Sequence, residues 1–127
     1  MLTSVSKGFE QELTELPGEY SEPKGCILLA FLESALVGCV ALRPLTSDVC
    51  EMKRMYVRPA FRMQGIGLAL AREVIAEARK RGYERMRLDS LPTMKEAQAL
   101  YRSLGFREIS AYRLNPIEGA VFMELEL

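Results

Sequence analysis

Along this chain the period of the apolar positions switches repeatedly between that of a helix and that of a strand. From Lys7 to Leu16 the apolar residues are Phe9, Leu13 and Leu16, the spacing of one helical face, and Pro17-Gly18 stops the pattern. Gly25–Glu33 is an almost continuous apolar run, and Leu36–Arg43 is another after the polar break at Glu33-Ser34. Two runs with so short a break predict a β-hairpin turning near Glu33–Ala35. Val49–Val57 alternates imperfectly, with Met52, Met55 and Val57 set among charges, and reads as a strand closed by Arg58-Pro59.

The helical period returns after Gly67, with Leu70, Ala71, Val74, Ile75 and Ala78 on one face. Arg79, Lys80 and Arg81 fall in its last turn, where the helix dipole favours cations, and Gly82 suits the position just past the end. Tyr83–Asp89 reads as a strand. Thr93 and Glu96 have the spacing of a capping box, opening a helix that runs to Leu104 and stops at Gly105. Phe106–Ser110 and Ala120–Leu127 are further strands, joined by the loop Ala111–Gly119. The order predicts one domain over residues 1–127, of α/β (α+β) class. Its sheet is mixed, parallel where a helix connects two strands and antiparallel at the early hairpin, with helices on both faces.

Composition narrows the chemistry. The 127 residues suffice for a core and carry a formal net charge of 0. That zero is a cancellation: residues 1–22 set Lys7 against five glutamates, whereas residues 51–62 and 79–87 are basic. Overall balance argues against bulk binding to nucleic acid or to an anionic membrane. There is no His, so a Ser–His–Asp or Cys–His site cannot be built, the commonest zinc ligand is missing, and no metal is expected. Cys26, Cys39 and Cys50 form no C-x-x-C pair and sit in apolar or strand-like runs, which fits reduced, buried thiols in a cytoplasmic protein. The N-terminus lacks the apolar stretch of a signal peptide, and no run approaches the ~18 apolar residues of a membrane span.

The densest chemical signal is the passage from Met55 to Leu68: a strand end, a turn containing Gly65 and Gly67, and a helix start. Unpartnered backbone N–H groups at such a start, aided by the dipole, form an anion site. Neither the Walker A pattern nor G-x-G-x-x-G fits, since no Gly-Lys-Ser/Thr occurs and Leu70 stands where the third glycine belongs. By itself Gly65-x-Gly67 is a weak signal and reads better as a structural helix start.

Arg62-Met63-Gln64-Gly65-Ile66-Gly67, however, resembles the R/Q-x-x-G-x-G/A pattern of the GNAT superfamily of N-acetyltransferases. Met55–Pro59 resembles the strand before it. Ala97–Phe106 is similar to the superfamily's second signature, A-x-x-L-Y-x-x-x-G-F. The likeness covers about residues 25–127. It implies a mixed, mostly antiparallel sheet and transfer of an acetyl group from acetyl-CoA to a primary amine by direct attack in a ternary complex. It also implies that the pyrophosphate rests on the backbone of Met63, Gln64, Gly65, Ile66 and Gly67, with Arg62 adding charge and shaping the loop. The pantetheine arm would pair with the strand end at Met55, Tyr56 and Val57.

By the same likeness Tyr101 would protonate the leaving thiolate; its other reading is a core tyrosine, since it shares a face with Ala97 and Leu104. Glu51, eleven residues before Arg62, would be the general base, directly or through water; its other reading is a solvated strand carboxylate, and a neighbouring Lys53 would weaken it as a base. Cys50 is a poor nucleophile for want of an activating base.

The acceptor is left open among small amines and peptide amines, with residues 7–20 and 111–119 as the selecting segments. Acidic residues there would favour a cationic amine, and Arg113 one bearing a carboxylate. The chain also reads as N-terminally shortened, lacking the family's first strand and helix. An uncovered edge or face would then call for a homodimer. A CoA-binding homologue without turnover is the competing reading.

Overall fold

The computed structural model describes the backbone of residues 4–7 and all of residues 23–127. Seven strands form one sheet. β1 is Ser4–Lys7, β2 Cys26–Leu32, β3 Ala35–Pro44 and β4 Val49–Val57; β5 is Arg85–Ser90, β6 Arg107–Ile109 and β7 Val121–Glu126. A 3₁₀ turn at Pro59–Phe61 leads to helix α1, Ile66–Lys80, and α2 is Lys95–Ser103. The strand order is β1-β2-β3-β4-β5-β7-β6. Only β4 and β5 run parallel; the other neighbours are antiparallel.

The β2–β3 hairpin turns at Glu33-Ser34 as the pattern predicts, with Glu33 at φ 58 and Leu32 opposite Ala35. β4 matches its expected limits. Its imperfect alternation has a structural cause: Lys53 pairs with Ala41 and Tyr56 with Cys39, so Arg54 and Met55 together face the single residue Val40. This is a β-bulge, and Arg54 takes the left-handed φ of 56. The extra residue shifts the parity of the strand. Cys50 and Met52 before it, and Met55 and Val57 after it, therefore all serve the same core cluster.

That cluster lies on one face of the sheet. It joins Leu28, Val40 and Leu42 with Leu70, Val74 and Ala78 of α1 and with Tyr101 of α2. Tyr83 belongs to it and is anchored by a hydrogen bond from its hydroxyl to Lys24 O, at 2.7 Å. Gly38 is required where β3 meets the end of β4, because a Cβ there would lie 2.8 Å from Tyr56 O and 3.2 Å from Leu70 Cδ1. The opposite face carries a smaller cluster, Ile27, Leu29 and Ala41, and beside it a field of paired charges.

Three expectations change. The first strand is not missing: Ser4–Lys7 pairs antiparallel with Leu28–Phe31 at the edge of the sheet. The helix expected over Lys7–Leu16 lies outside the described residues, apart from Lys7, which ends β1. Helices on both faces likewise turn on residues 8–22, since both described helices serve the first cluster. Among the described residues, Ile27 and Leu29 are each 7% exposed and Ala41 1%, so the apolar face expected to stand uncovered is buried there. The capping box also fails: Met94 is the N-cap of α2, no side chain caps it, and the Lys95 N–H bonds to Thr93 O at 2.9 Å. Among the described residues no helix is long and apolar enough to cross a membrane.

Candidate active site

β4 and β5 pair only over Val49–Glu51 and Arg85–Arg87. Beyond that they part, and Met52–Val57 faces Leu88–Ser90 across an open seam. Two cavities meet there. The larger, about 940 Å³, lies between the strand end, the turn after it and α2. The smaller, about 250 Å³, runs through the seam beside Lys53, Asp89 and Asn115. Met55, Met94, Ala97 and Tyr101 line both.

The turn after β4 is held by its arginine. Arg62 Nε donates to Val57 O at 2.8 Å, and the guanidinium lies 5.4 Å from the Tyr56 ring centroid. Met63 at φ 66 and Gly65 at φ 81 make the left-handed steps that bring the chain round into α1. The first bond of the helix is from Ala69 N–H to Gly65 O at 3.1 Å, so the N–H groups of Ile66, Gly67 and Leu68 precede any intrahelical acceptor. Of the three non-glycine residues with positive φ among the described residues, Arg54 and Met63 are both here. Such backbone costs of order 1–3 kcal/mol each and concentrates at functional sites.

Six residues expected to hold the cosubstrate line the larger cavity: Met55, Tyr56, Val57, Arg62, Met63 and Gly67. Gln64, Gly65 and Ile66 do not, and the Ile66 side chain is core at 1% exposure, so only its backbone belongs to the turn. A Cβ on Gly67 would lie 3.7 Å from Leu100 Cδ2 and 3.9 Å from Val57 Cγ2, ordinary contact distances, which agrees with a position that takes glycine or alanine.

Tyr101 is both things the sequence allowed. It is 6% exposed and packs edge-on against Phe106 at 5.7 Å, yet it lines both cavities. Burial, and no neighbouring charge or hydrogen bond, pushes its phenol up to about 12. It is fully protonated at neutral pH.

Glu51 stands in a different environment from that of a free base. It is 0% exposed and lies on the charged face. Its Oε1 accepts from Arg43 Nε at 2.8 Å; its Oε2 accepts from the Tyr112 hydroxyl and from Arg113, with Lys53 Nζ 3.8 Å away. Tyr112 is raised by burial first, then by its bond to Glu51. Cys50 is fully buried and burial lifts its thiol to about 12, which excludes it as a nucleophile at neutral pH.

Sequence reasoning missed Asp89. Lys53 Nζ donates to its Oδ1 at 3.1 Å; Asn115 Nδ2 lies 3.2 Å and Arg113 Nε 3.5 Å from its Oδ2. Burial alone would raise its carboxyl, but Lys53, Arg113 and Asn115 outweigh that and hold it below its ordinary value. On β5 it alternates with Met86 and Leu88 like any polar residue of a half-buried strand, so nothing in the sequence marks it.

The sequence profile of the acetyltransferase (GNAT) family matches residues 3–106. The chain belongs to the GNAT acetyltransferase family. It is therefore an N-acetyltransferase by class. An uncharacterised N-acetyltransferase of Schizosaccharomyces pombe is 41% identical over 120 residues, spanning 93% of this chain and 74% of that protein. An acyl-CoA N-acyltransferase structure from Klebsiella pneumoniae is similar at TM-score 0.83 and 26% identity, covering 100% of this chain and 98% of that one. A GNAT acetyltransferase from Elizabethkingia anophelis, solved with acetyl-CoA bound, shares the fold at TM-score 0.77 and 20% identity, covering 98% and 97%.

Proposed function

We propose that this acetyltransferase moves the acetyl group of acetyl-CoA to a primary amine by direct attack in a ternary complex. The observation that carries the reading is the meeting of two cavities at Met55 and Tyr101 on an opened strand seam. The larger, lined by Arg62, Met63 and Gly67 at the start of α1, suits an elongated cosubstrate with a pyrophosphate. The smaller suits an amine arriving from the other side. The freed backbone of β4 past Met52 offers N–H and C=O groups to the pantetheine amides, and an N–H there would stabilise the tetrahedral oxyanion. The GNAT structure with acetyl-CoA bound supports the same cosubstrate.

The C–N bond forms as the C–S bond breaks, and the proton lost by the amine balances the one gained by sulfur. Tyr101 serves that exchange by hydrogen-bonding the departing sulfur. With its phenol near 12, outright transfer to a thiolate of ordinary pKa near 8.5 is uphill, so the proton reaching sulfur comes finally from the amine, through Tyr101 or water. Glu51 enters as a positioning residue rather than as the base, because its oxygens are already taken by Arg43, Tyr112 and Arg113. The competing reading, a CoA binder without turnover, rested on absent N-terminal elements and loses that ground with β1 in place.

The test pairs binding with turnover. Acetyl-CoA should raise the melting temperature by mass action, and an amine panel should release free thiol. No shift with acetyl-CoA sinks the proposal; a shift without thiol release from any amine returns the competing reading.

A further inference from the structure

We propose that the acceptor is a zwitterion, an amine that also carries a carboxylate, with Asp89 receiving the nitrogen and Lys53 and Arg113 the carboxylate. This rests on the acetyl-transfer reading, since it concerns the smaller cavity of the same seam. Backbone pairing between β4 and β5 ends at Glu51 and Arg87. Two residues further along each strand stand Lys53 and Asp89, and their side chains bridge the gap at 3.1 Å. The pair therefore occupies the opening through which an acceptor must reach the junction at Tyr101. It is open to exchange, with 24% and 14% of the two side chains exposed.

Both carboxylate oxygens of Asp89 are engaged, but differently. Oδ2 is fixed by Asn115 and Arg113 from the loop before β7, whereas among the described residues Oδ1 is held by Lys53 alone. Oδ1 is the atom an incoming nitrogen can take over. Charge then selects the acceptor. A purely cationic amine on Asp89 would displace Lys53 and set two cations side by side, while Glu51 is already committed to two arginines. An acceptor bearing both charges replaces each partner of the pair: its nitrogen satisfies Asp89, and its carboxylate satisfies Lys53 with Arg113 within reach. No charge in the seam is left without a counter-charge. Arg54 also lines this cavity, and its sign is the right one for the same carboxylate. The volume of about 250 Å³ fits a small amino acid and not a large polycationic acceptor.

Asp89 also sets the protonation order. Held below its ordinary value, it stays ionised and binds the ammonium form rather than deprotonating it. The ammonium gives one proton to solvent water on the way to the thioester; as the C–N bond forms and the C–S bond breaks, the second proton passes from nitrogen to sulfur, so the products are the amide, the free thiol and one released proton.

The experiment uses the full chain with acetyl-CoA and follows thiol release. The acceptors are L-α-amino acids and β-alanine, each with its methyl ester and its decarboxylated amine. The free acids should exceed both neutralised partners by at least about tenfold in kcat/KM, the size of a charge-assisted contact. Lys53→Met and Arg113→Gln should each shrink that ratio by raising KM for the acids relative to the esters, and Lys53→Arg should restore it. Esters or simple amines used as well as the acids, or no acid acetylated at all, overturns the proposal. The wild-type comparison does not depend on any variant folding. A thermal shift with acetyl-CoA separates the two levels: shift with ester preference removes only the zwitterion, and no shift removes acetyl transfer itself.

Discussion

The seam between β4 and β5 is bordered by two loops of opposite construction. The turn over residues 58–67 is made of backbone. Its shape comes from left-handed steps at Met63 and Gly65 and from two arginines, Arg58 and Arg62, donating to carbonyls, and its offering is a set of N–H groups. The loop over residues 110–120 is made of side chains. Tyr112 and Arg113 reach Glu51, Arg113 and Asn115 reach Asp89, and Tyr112 packs edge-on against Phe122 at 5.2 Å. The first arrangement would present one fixed geometry to the proposed cosubstrate, which does not vary. The second can change with a few substitutions, which would suit the acceptor side of the proposed site.

The sharpest break of that comparison is Glu51→Gln. It should cost about 3 kcal/mol, the low end for breaking a buried pair, because Arg43, Lys53 and Arg113 keep partial solvent access. Urea denaturation reads it. Full stability with a collapsed kcat would instead make Glu51 the base. Next is Tyr101→Phe, which should lower kcat about a hundredfold and leave the acetyl-CoA thermal shift intact. An unchanged kcat would remove Tyr101 from the chemistry.

Gly65→Ala should cost about 1 kcal/mol, through the φ of 81 and not through any clash, since nothing lies within 4 Å of its Cβ. It should also weaken acetyl-CoA binding without altering acceptor preference, and a changed preference would mean the two loops are not separable. For the other loop the probe is pH. The Asp89 carboxyl is lowered in the folded chain, so its stabilisation is complete above its ordinary 3.8 and fades as pH falls through the lowered value. The stability gap between wild type and Asp89→Asn should be full at neutral pH and close on acidification below about 4. A gap independent of pH would show that packing, not charge, explains Asp89. Smallest of all, Gly67→Ala should stay within about 0.5 kcal/mol of wild type, given its 3.7 and 3.9 Å clearances.

Legibility in the sequence divided along the same line. The turn was readable at Gly65, whose left-handed φ before a helix start suits glycine, while the left-handed step at Met63 carries no such signal. The core face of α1 was readable for the same local reason: all five of its predicted apolar positions are buried. The limits of β4 were right, while its irregular alternation became intelligible only when the bulge at Arg54 and Met55 was seen against Val40. The inference of a missing first strand failed at Ser4–Lys7, whose short polar-apolar alternation carries no pattern strong enough to read and which is held by pairing with a strand some twenty residues away. The capping box failed because spacing permits that contact without enforcing it.

The sequence alone determined the β2–β3 hairpin, the core face of α1, the glycine-containing turn before it and the place of Tyr101 on α2, since each depends on groups within a few residues of one another. Only the tertiary structure decided that Glu51 is tied up, that Asp89 stands at the smaller cavity and that two cavities meet beside Tyr101. Those facts bring residues 43, 51, 53, 89 and 113 together from three strands and a loop, and the attraction that joins them acts through space, without regard to distance along the chain.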